Sequence, residues 1–351
     1  MTHLWVRAEH RSDEARVGLT PQGAASLIAQ GFDVTVEDSD RRAIAIDGYR
    51  TAGADVAPEG AWREAPDDAI VLGLKDLPDD GTPLTHRHVM FGHAYKGQPE
   101  GRKLLERFRA GGGVLYDLEY LTDEDGRRVA AFGYWAGYAG AAVSLLAWAA
   151  QQQGGLCGRV TAHDTSRDLF ALVQAELMAA GASRPNALII GALGRVGTGA
   201  RDLCSALSVR PTLWDMAETA GGGPFPQVLS HHILLNCILA RPGSPVFVEP
   251  DATEAIRALS VIGDIACDPG SDYSPIKVYD RGTTWDSPVR RVHDVPPLDV
   301  MAIDNLPAML PMESSEDFAK QLLPTLRLLD GLDEGPWARA RVEFDRAIEA
   351  L

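Results

Sequence analysis

Cysteine and positive charge are the two things this chain has little of. Its 351 residues hold four cysteines, Cys157, Cys204, Cys237 and Cys267, with no two in C-x-x-C spacing. Nor does the chain begin with the charged start and apolar core of a secretory signal. Both absences fit a reducing cytoplasm. Lysine and arginine number 33 against 49 acids, a formal charge of −16, which argues against non-specific binding of nucleic acid or of an anionic membrane surface. Internal repeats and low-complexity tracts are also missing. Each basic residue is therefore read as a local site, and the length allows two domains, each with its own core.

Residues 129–158 carry no charge and are rich in alanine and glycine, with Gly133 and Gly137 as a small-xxx-small pair. Length alone would admit a membrane helix. Leucine, isoleucine and valine are sparse, however, and Gln151-Gln-Gln-Gly-Gly155 follows at once, so a buried helix joining two domains is expected instead.

The most informative stretch is Asn186-Ala-Leu-Ile-Ile-Gly-Ala-Leu-Gly-Arg-Val-Gly197, followed by Pro211-Thr-Leu-Trp-Asp215. It reads as strand, glycine turn, helix, strand, acid. The short β-branched run suits a strand buried on both faces. Gly191, Gly194 and Gly197 form a turn without side chains, through which backbone N–H groups can approach a pyrophosphate at a helix N-terminus. Asp215 stands where an acid can take both ribose hydroxyls and repel a 2′-phosphate, which favours NAD over NADP. The spacing is G-x-x-G-x-x-G, not the commoner G-x-G-x-x-G, and Arg195 beside the turn leaves a phosphate contact open.

Elsewhere strand-like segments at 4–8, 34–37, 69–74, 89–93 and 114–118 alternate with helical ones, the first helix opening at Thr20-Pro21 and closing at Gly31. A second series runs through the glycine turn to 211–215, 233–239, 261–267 and 300–303. Helical patterns near 315–323 and 337–350 close the chain. The expected class is α/β, two Rossmann-like domains with parallel sheets flanking a central cleft. Residues 1–133 are expected to form a substrate domain completed by 310–351, and 134–309 an NAD-binding domain. The turn-rich stretch 268–294 reads as a long surface loop.

Polar residues follow several first-domain strands, where strand ends meet a cleft. Lys75 comes directly after Ile70-Val-Leu-Gly-Leu74. It is either a surface lysine or a general base whose pKa is lowered by burial and a nearby cation. His93 is either structural or a proton carrier near neutral pH. His86 and His88 with His93 lack a Cys or acid at metal-ligand spacing, so no metal is expected. Arg127 and Arg128 are either a solvated turn or a fork for carboxylate or pyrophosphate.

Leu4-Trp-Val-Arg-Ala-Glu9, Glu14-Ala-Arg16, Gly73-Leu-Lys75, Phe91-Gly-His-Ala-Tyr-Lys96 and Leu115-Tyr-Asp-Leu-Glu119 together resemble the fungal-type saccharopine dehydrogenases. Gly126-Arg-Arg-Val-Ala-Ala-Phe-Gly133, Leu188-Ile-Ile-Gly-Ala-Leu-Gly-Arg195 and Ala302-Ile-Asp-Asn-Leu-Pro307 carry the resemblance nearly end to end. These are NAD-dependent, L-lysine-forming enzymes of an alanine dehydrogenase-like superfamily. The resemblance implies reversible conversion of saccharopine, NAD and water to L-lysine, 2-oxoglutarate and NADH. It implies Lys75 and His93 as the acid–base pair, and Arg16, Arg128 and Phe132, with Lys75, as substrate contacts. Ala266, Cys267 and Asp268 match a loop reaching the substrate. Gln98, Arg127, Gly194, Arg195, Asp215 and Thr219 match cofactor positions, as do Leu239, Ile265 and the run Ile303, Asp304, Asn305 and Leu306.

The sequence departs from that pattern in three places. Val196 stands where the family has one cysteine of a redox-sensitive disulfide, which leaves Cys237 without that partner. Leu239 replaces an aromatic residue, and an acidic insertion between the domains is missing. A small-molecule substrate is expected, no nucleic acid or membrane partner, and a monomer or small homo-oligomer. Two other readings stand beside this one: a dehydrogenase for another opine-like or simple amino acid, and a catalytically silent NAD-binding sensor.

Overall fold

In the computed structural model, which describes all residues except Gly97, Gln98 and Ala182, the chain divides into two compact units, Met1–Ala131 with Pro311–Leu351, and Phe132–Leu310. Each is an α/β layer structure around one six-stranded sheet.

The first unit runs β1 (His3–Val6), α1 (Pro21–Ile28), β2 (Asp33–Glu37), α2 (Ile46–Thr51), β3 (Asp55–Ala57), β4 (Ile70–Leu72), β5 (Arg87–Met90), α3 (Pro99–Gly111) and β6 (Val114–Asp117). Its strands are all parallel, in the order β3-β2-β1-β4-β5-β6. Chain direction across the sheet reverses between β1 and β4, so the crevice at their carboxyl ends is where such a sheet receives ligands. Helix α1 starts as its sequence dictates: Thr20 Oγ1 accepts from Gly23 N at 3.1 Å, with Pro21 at the first helical position. Strand β5 is shorter than its sequence pattern. It stops at Met90, and His93 lies beyond it with φ +48°.

The second unit runs α4 (Gly133–Gln152), α5 (Ser166–Ala179), β7 (Asn186–Ile190), α6 (Arg195–Ala206), β8 (Arg210–Trp214), α7 (Met216–Thr219), β9 (Ile233–Asn236), β10 (Val261–Asp264), β11 (Arg290–His293) and β12 (Leu298–Met301). Its order is β11-β12-β10-β9-β7-β8, with β11 antiparallel at the edge. The reversal here falls between β7 and β9.

The uncharged segment forms α4, but it lies wholly within the second unit rather than joining two. Its glycines bring it against α6. A Cβ on Gly137 would meet Val196 O at 1.8 Å, and one on Gly199 would meet Tyr134 O at 1.9 Å. Small residues spaced along one face therefore encode a close helix crossing in a protein core, and among the described residues no helix is long and apolar enough to cross a membrane.

Residues 268–294 are not a surface loop throughout. Ile276 is 1% exposed and Tyr279 packs in the same cluster, Phe247 N donates to Pro275 O at 2.8 Å, and the segment ends in β11. Its apolar residues are scattered singly, so no period marks them, yet each is seated by tertiary contact.

The chain then returns to the first unit with α8 (Pro311–Leu326) and α9 (Gly335–Glu349). Val17 N donates to Ser315 Oγ at 2.9 Å. Trp337, fully buried, donates through Nε1 to Thr325 O and stands edge-on to Tyr116.

Candidate functional site

In the first unit the strand ends carry charge, and nearly every charge has an opposite partner. Glu9, just past β1, accepts from Leu74 N at 2.6 Å and Lys75 N at 3.0 Å, so the turn after β4 is held by the turn after β1. Arg7 supports it, 3.3 Å from the Glu9 carboxylate. Lys75 is half-buried, and its charge is felt by Asp13 and Glu14.

Glu14 and Arg16 form a buried bidentate pair, Nε to Oε1 at 2.8 Å and Nη2 to Oε2 at 2.6 Å. Burial raises the Glu14 carboxyl, but hydrogen bonds and charge from Arg16 outweigh it and hold the group below the ordinary carboxylate range. Arg16 thus presents a guanidinium already fixed in position by an acid.

A second cluster gathers around Glu119, beyond β6. Its carboxylate faces His93 Nδ1 at 3.6 Å, accepts from Lys96 Nζ at 3.0 Å, and accepts from Arg128 Nη2. The approach of His93 first, then of Lys96 and Arg128, holds Glu119 at about 2 despite its burial. The His93 ring lies over Phe91, 6.2 Å between centroids and 15° between planes. Its left-handed backbone costs roughly 1–2 kcal/mol in a non-glycine residue, so something must hold it.

The buried carboxylate of Asp117 holds that turn. Its Oδ2 accepts from Gly92 N at 3.2 Å and its Oδ1 from Glu119 N at 2.8 Å. Burial raises Asp117 to about 6, with the Glu119 charge adding to the effect and backbone hydrogen bonds opposing it.

Sequence reasoning did not single out Asp117 or Glu119. The signal was present, since both end a strand as Lys75 and His93 do. Arg127 is exposed and pairs with Asp125 at 3.1 Å. His86 and His88 do not join His93. His86 bonds Ala65 O, and His88 is buried between the rings of Trp62 and Phe108. Gln98 lies outside the described residues.

In the second unit the strand ends are built from main chain. Gly191 follows β7 with φ +83°, and a Cβ there would meet Ile238 Cγ2 at 2.6 Å. A Cβ on Gly197 would meet Gly191 O at 2.2 Å, whereas on Gly194 it would meet only Gly191 O, at 3.4 Å. Two glycines close the turn and the middle one leaves it open. Gly194 also begins α6 without a side-chain cap, so the first N–H groups of that helix suit a pyrophosphate.

Asp215 accepts from Leu193 N at 2.9 Å and Met216 N at 2.9 Å. It fixes the turn and still has lone pairs for two ribose hydroxyls. Thr219 is tied to its carbonyl through Oγ1 at 2.9 Å. Leu239 is exposed beyond β9, as are Arg195 and Asp304.

Ile265, Ile303 and Leu306 have buried side chains in the core around α4, which leaves their main chain for contact, and Asn305 is also buried. Phe132 is half-buried at the start of α4. Ala266, Cys267 and Asp268 follow β10, and burial pushes the Cys267 thiol up to about 12. Beneath them Asp264 accepts from Asn236 Nδ2 at 2.8 Å and Tyr279 Oη at 2.7 Å, which links the exits of β9 and β10 to the 268–294 segment. All four cysteines are free, and burial pushes Cys204 up to about 12 and Cys237 further.

A family model described as the alanine dehydrogenase/PNT N-terminal domain matches residues 5–139, and the corresponding C-terminal domain model matches 232–348. A Schizosaccharomyces pombe protein named saccharopine dehydrogenase (NAD+, L-lysine-forming) is 42% identical, the match covering 99% of each chain. A Candida albicans protein of the same name is 40% identical over 99% of this chain and 97% of its own. Among solved structures, an L-alanine dehydrogenase superposes with a TM-score of 0.67 at 19% identity, covering 99% of this chain and 94% of that one. At that identity the likeness concerns the fold alone.

Proposed function

This chain belongs to the NAD-dependent, L-lysine-forming saccharopine dehydrogenase family, and on that premise we propose that it reversibly converts L-saccharopine, NAD and water to L-lysine, 2-oxoglutarate and NADH. The observation that carries the reading is the charge set at the strand ends of the first unit. There Lys75 sits in the field of Asp13 and Glu14, and His93 lies beside Glu119 with Lys96 and Arg128. A tricarboxylate amine needs such a set: cations for its carboxylates, and two groups that can move protons.

The dinucleotide fits the second unit, in which Gly194 leaves the turn open and α6 begins uncapped. Gly194 and Arg195 would hold the pyrophosphate, Asp215 the ribose, and Thr219 and Leu239 the adenosine side. The main chain of Ile265 and of Ile303 to Leu306, with Asp304, would line the nicotinamide half. When bound, the nicotinamide accepts hydride from the substrate carbon.

Lys75 takes the proton from the secondary ammonium of saccharopine and so frees the nitrogen lone pair that drives the hydride out. The C–H bond breaks, the carbon becomes an iminium, and water adds to it with His93 accepting the water proton. His93 then gives that proton to the amine nitrogen, and the C–N bond of the carbinolamine breaks as its hydroxyl proton returns to His93, so that the C=O of 2-oxoglutarate forms and lysine departs. Arg16 and Arg128 receive carboxylates; each is already oriented by an acid, Glu14 and Glu119, which lowers the ordering cost of binding.

The test is NADH formation from saccharopine against a panel of other N-(carboxyalkyl) amino acids and simple amino acids, with lysine plus 2-oxoglutarate in reverse. Saccharopine should give the highest kcat/KM. A higher value for another amine would move the assignment to that substrate, and no turnover on any would leave only dinucleotide binding.

A further inference from the structure

We propose that Asp117 is a positioning residue whose carboxylate clamps together the two turns that carry His93 and Glu119. This deepens the proposed reaction and rests on His93 taking part in it.

The geometry is specific. Asp117 is the last residue of β6, has no exposed surface, and lies beside the exit of β5. One oxygen takes the N–H of Gly92 at 3.2 Å, the residue before His93. The other takes the N–H of Glu119 itself at 2.8 Å. His93 and Glu119 are the pair 3.6 Å apart, so a single carboxylate fixes the main chain on both sides of that contact.

Gly92 has no room for a side chain, since a Cβ would lie 2.6 Å from Leu115 Cδ2 and 3.2 Å from Asp117 Oδ2. The next residue is His93, one of two non-glycine residues with positive φ among the described residues. A strained histidine behind a glycine pressed on a buried carboxylate is a clamped turn.

The clamp needs two acceptors, and only the ionised carboxylate supplies both without a competing O–H. Protonation turns one oxygen into a donor facing an N–H, which opens one side of the clamp. Burial places that change at about 6. The titratable groups that face Asp117 are Glu119 and His93 on the two clamped turns, and the phenols of Tyr95 and Tyr120. Glu119 is ionised well below this range, at about 2, so its negative charge adds to the burial.

The first measurement needs no variant. In the intact protein, the backbone amide resonances of Gly92 and Glu119 should titrate together with a midpoint near pH 6. Amides that stay flat between pH 5 and pH 8 would overturn the clamp. The second compares Asp117→Asn with the wild type. The variant should abolish that titration, lower kcat about tenfold with KM for saccharopine changed less than about twofold, and remove a limb near pH 6 from the kcat profile. The NAD dissociation constant should not move. An unchanged kcat profile with the amide titration abolished would show a merely structural carboxylate.

His93→Ala is measured alongside. If it leaves turnover intact, the role of His93 in the reaction fails, while the amide titration still decides on the clamp.

Discussion

The two units carry the groups proposed for function at the same point of the same kind of sheet and do so by opposite means. Around β1, β4, β5 and β6 the groups are charged side chains, and each is oriented by a carboxylate: Glu9 on the Lys75 turn, Glu14 on Arg16, Glu119 on His93, Lys96 and Arg128. Around β7 and β9 the groups are main-chain N–H donors, exposed because glycine removes whatever would cover them. Lysine, histidine and carboxylate side chains can gain and lose protons. Main-chain donors cannot, but they bind an anion at any pH. The first arrangement suits chemistry and the second suits holding a cofactor, so changes in the two should separate in kinetics.

The sharpest way to break this contrast is Lys75→Met. It should lower kcat about a thousandfold while NAD affinity stays within about twofold; unchanged turnover would remove the base role, and a large loss of NAD affinity would blur the two units.

Next comes the stability cost of the Asp117 carboxylate. Its folded value of about 6 lies above the ordinary 3.8, so this residue's stabilising contribution is complete below pH 3.8 and is lost as pH rises through about 6. The linkage amounts to about 3 kcal/mol. Denaturant unfolding of wild type and Asp117→Asn at pH 4 and pH 7 should therefore shift in favour of the variant by about that amount. Parallel curves would place the carboxylate in a more solvated setting.

In the second unit, Gly197→Ala puts a Cβ 2.2 Å from Gly191 O. Overpacking of about 2 kcal/mol should weaken NAD binding about thirtyfold and leave the pH profile of kcat in place. Calorimetric titration with NAD measures it, and a changed pH profile would count against the separation.

The smallest expected effect is that of Asp215→Ala. Loss of the acid should raise kcat/KM with NADP relative to NAD about tenfold, since both ribose recognition and repulsion of a 2′-phosphate go. An unaltered ratio would take the ribose role away from Asp215.

The same contrast explains what could be read in advance. The glycine turn was legible because the chemistry is local: seven residues from Gly191 to Gly197 contain the strand exit, the open middle and the helix start. Lys75 and His93 were legible as polar residues after apolar runs. Their partners were not, because Glu9 reaches Lys75 across 66 positions and Glu37 reaches the N–H of Ala8 across 29. Such pairs leave no period in the sequence. Tyr279 is a similar case, one aromatic in a turn-rich stretch whose hydroxyl finds Asp264. The uncharged segment was read as a buried helix from its few leucines, isoleucines and valines and the glutamines that follow, but its partner, α6, required coordinates.

By itself, the sequence determined the alternation of strands and helices, the parallel α/β class, and the glycine turn between strand and helix. These rest on apolar period, caps and the space a glycine leaves, all set within a few neighbouring residues. Tertiary structure decided that Glu119 gathers His93, Lys96 and Arg128, that Asp117 holds both turns of that cluster, and that Arg16 is fixed by Glu14 before any substrate arrives. Those are pairings of charges in low dielectric, and which charge meets which depends on where distant strand ends come to lie.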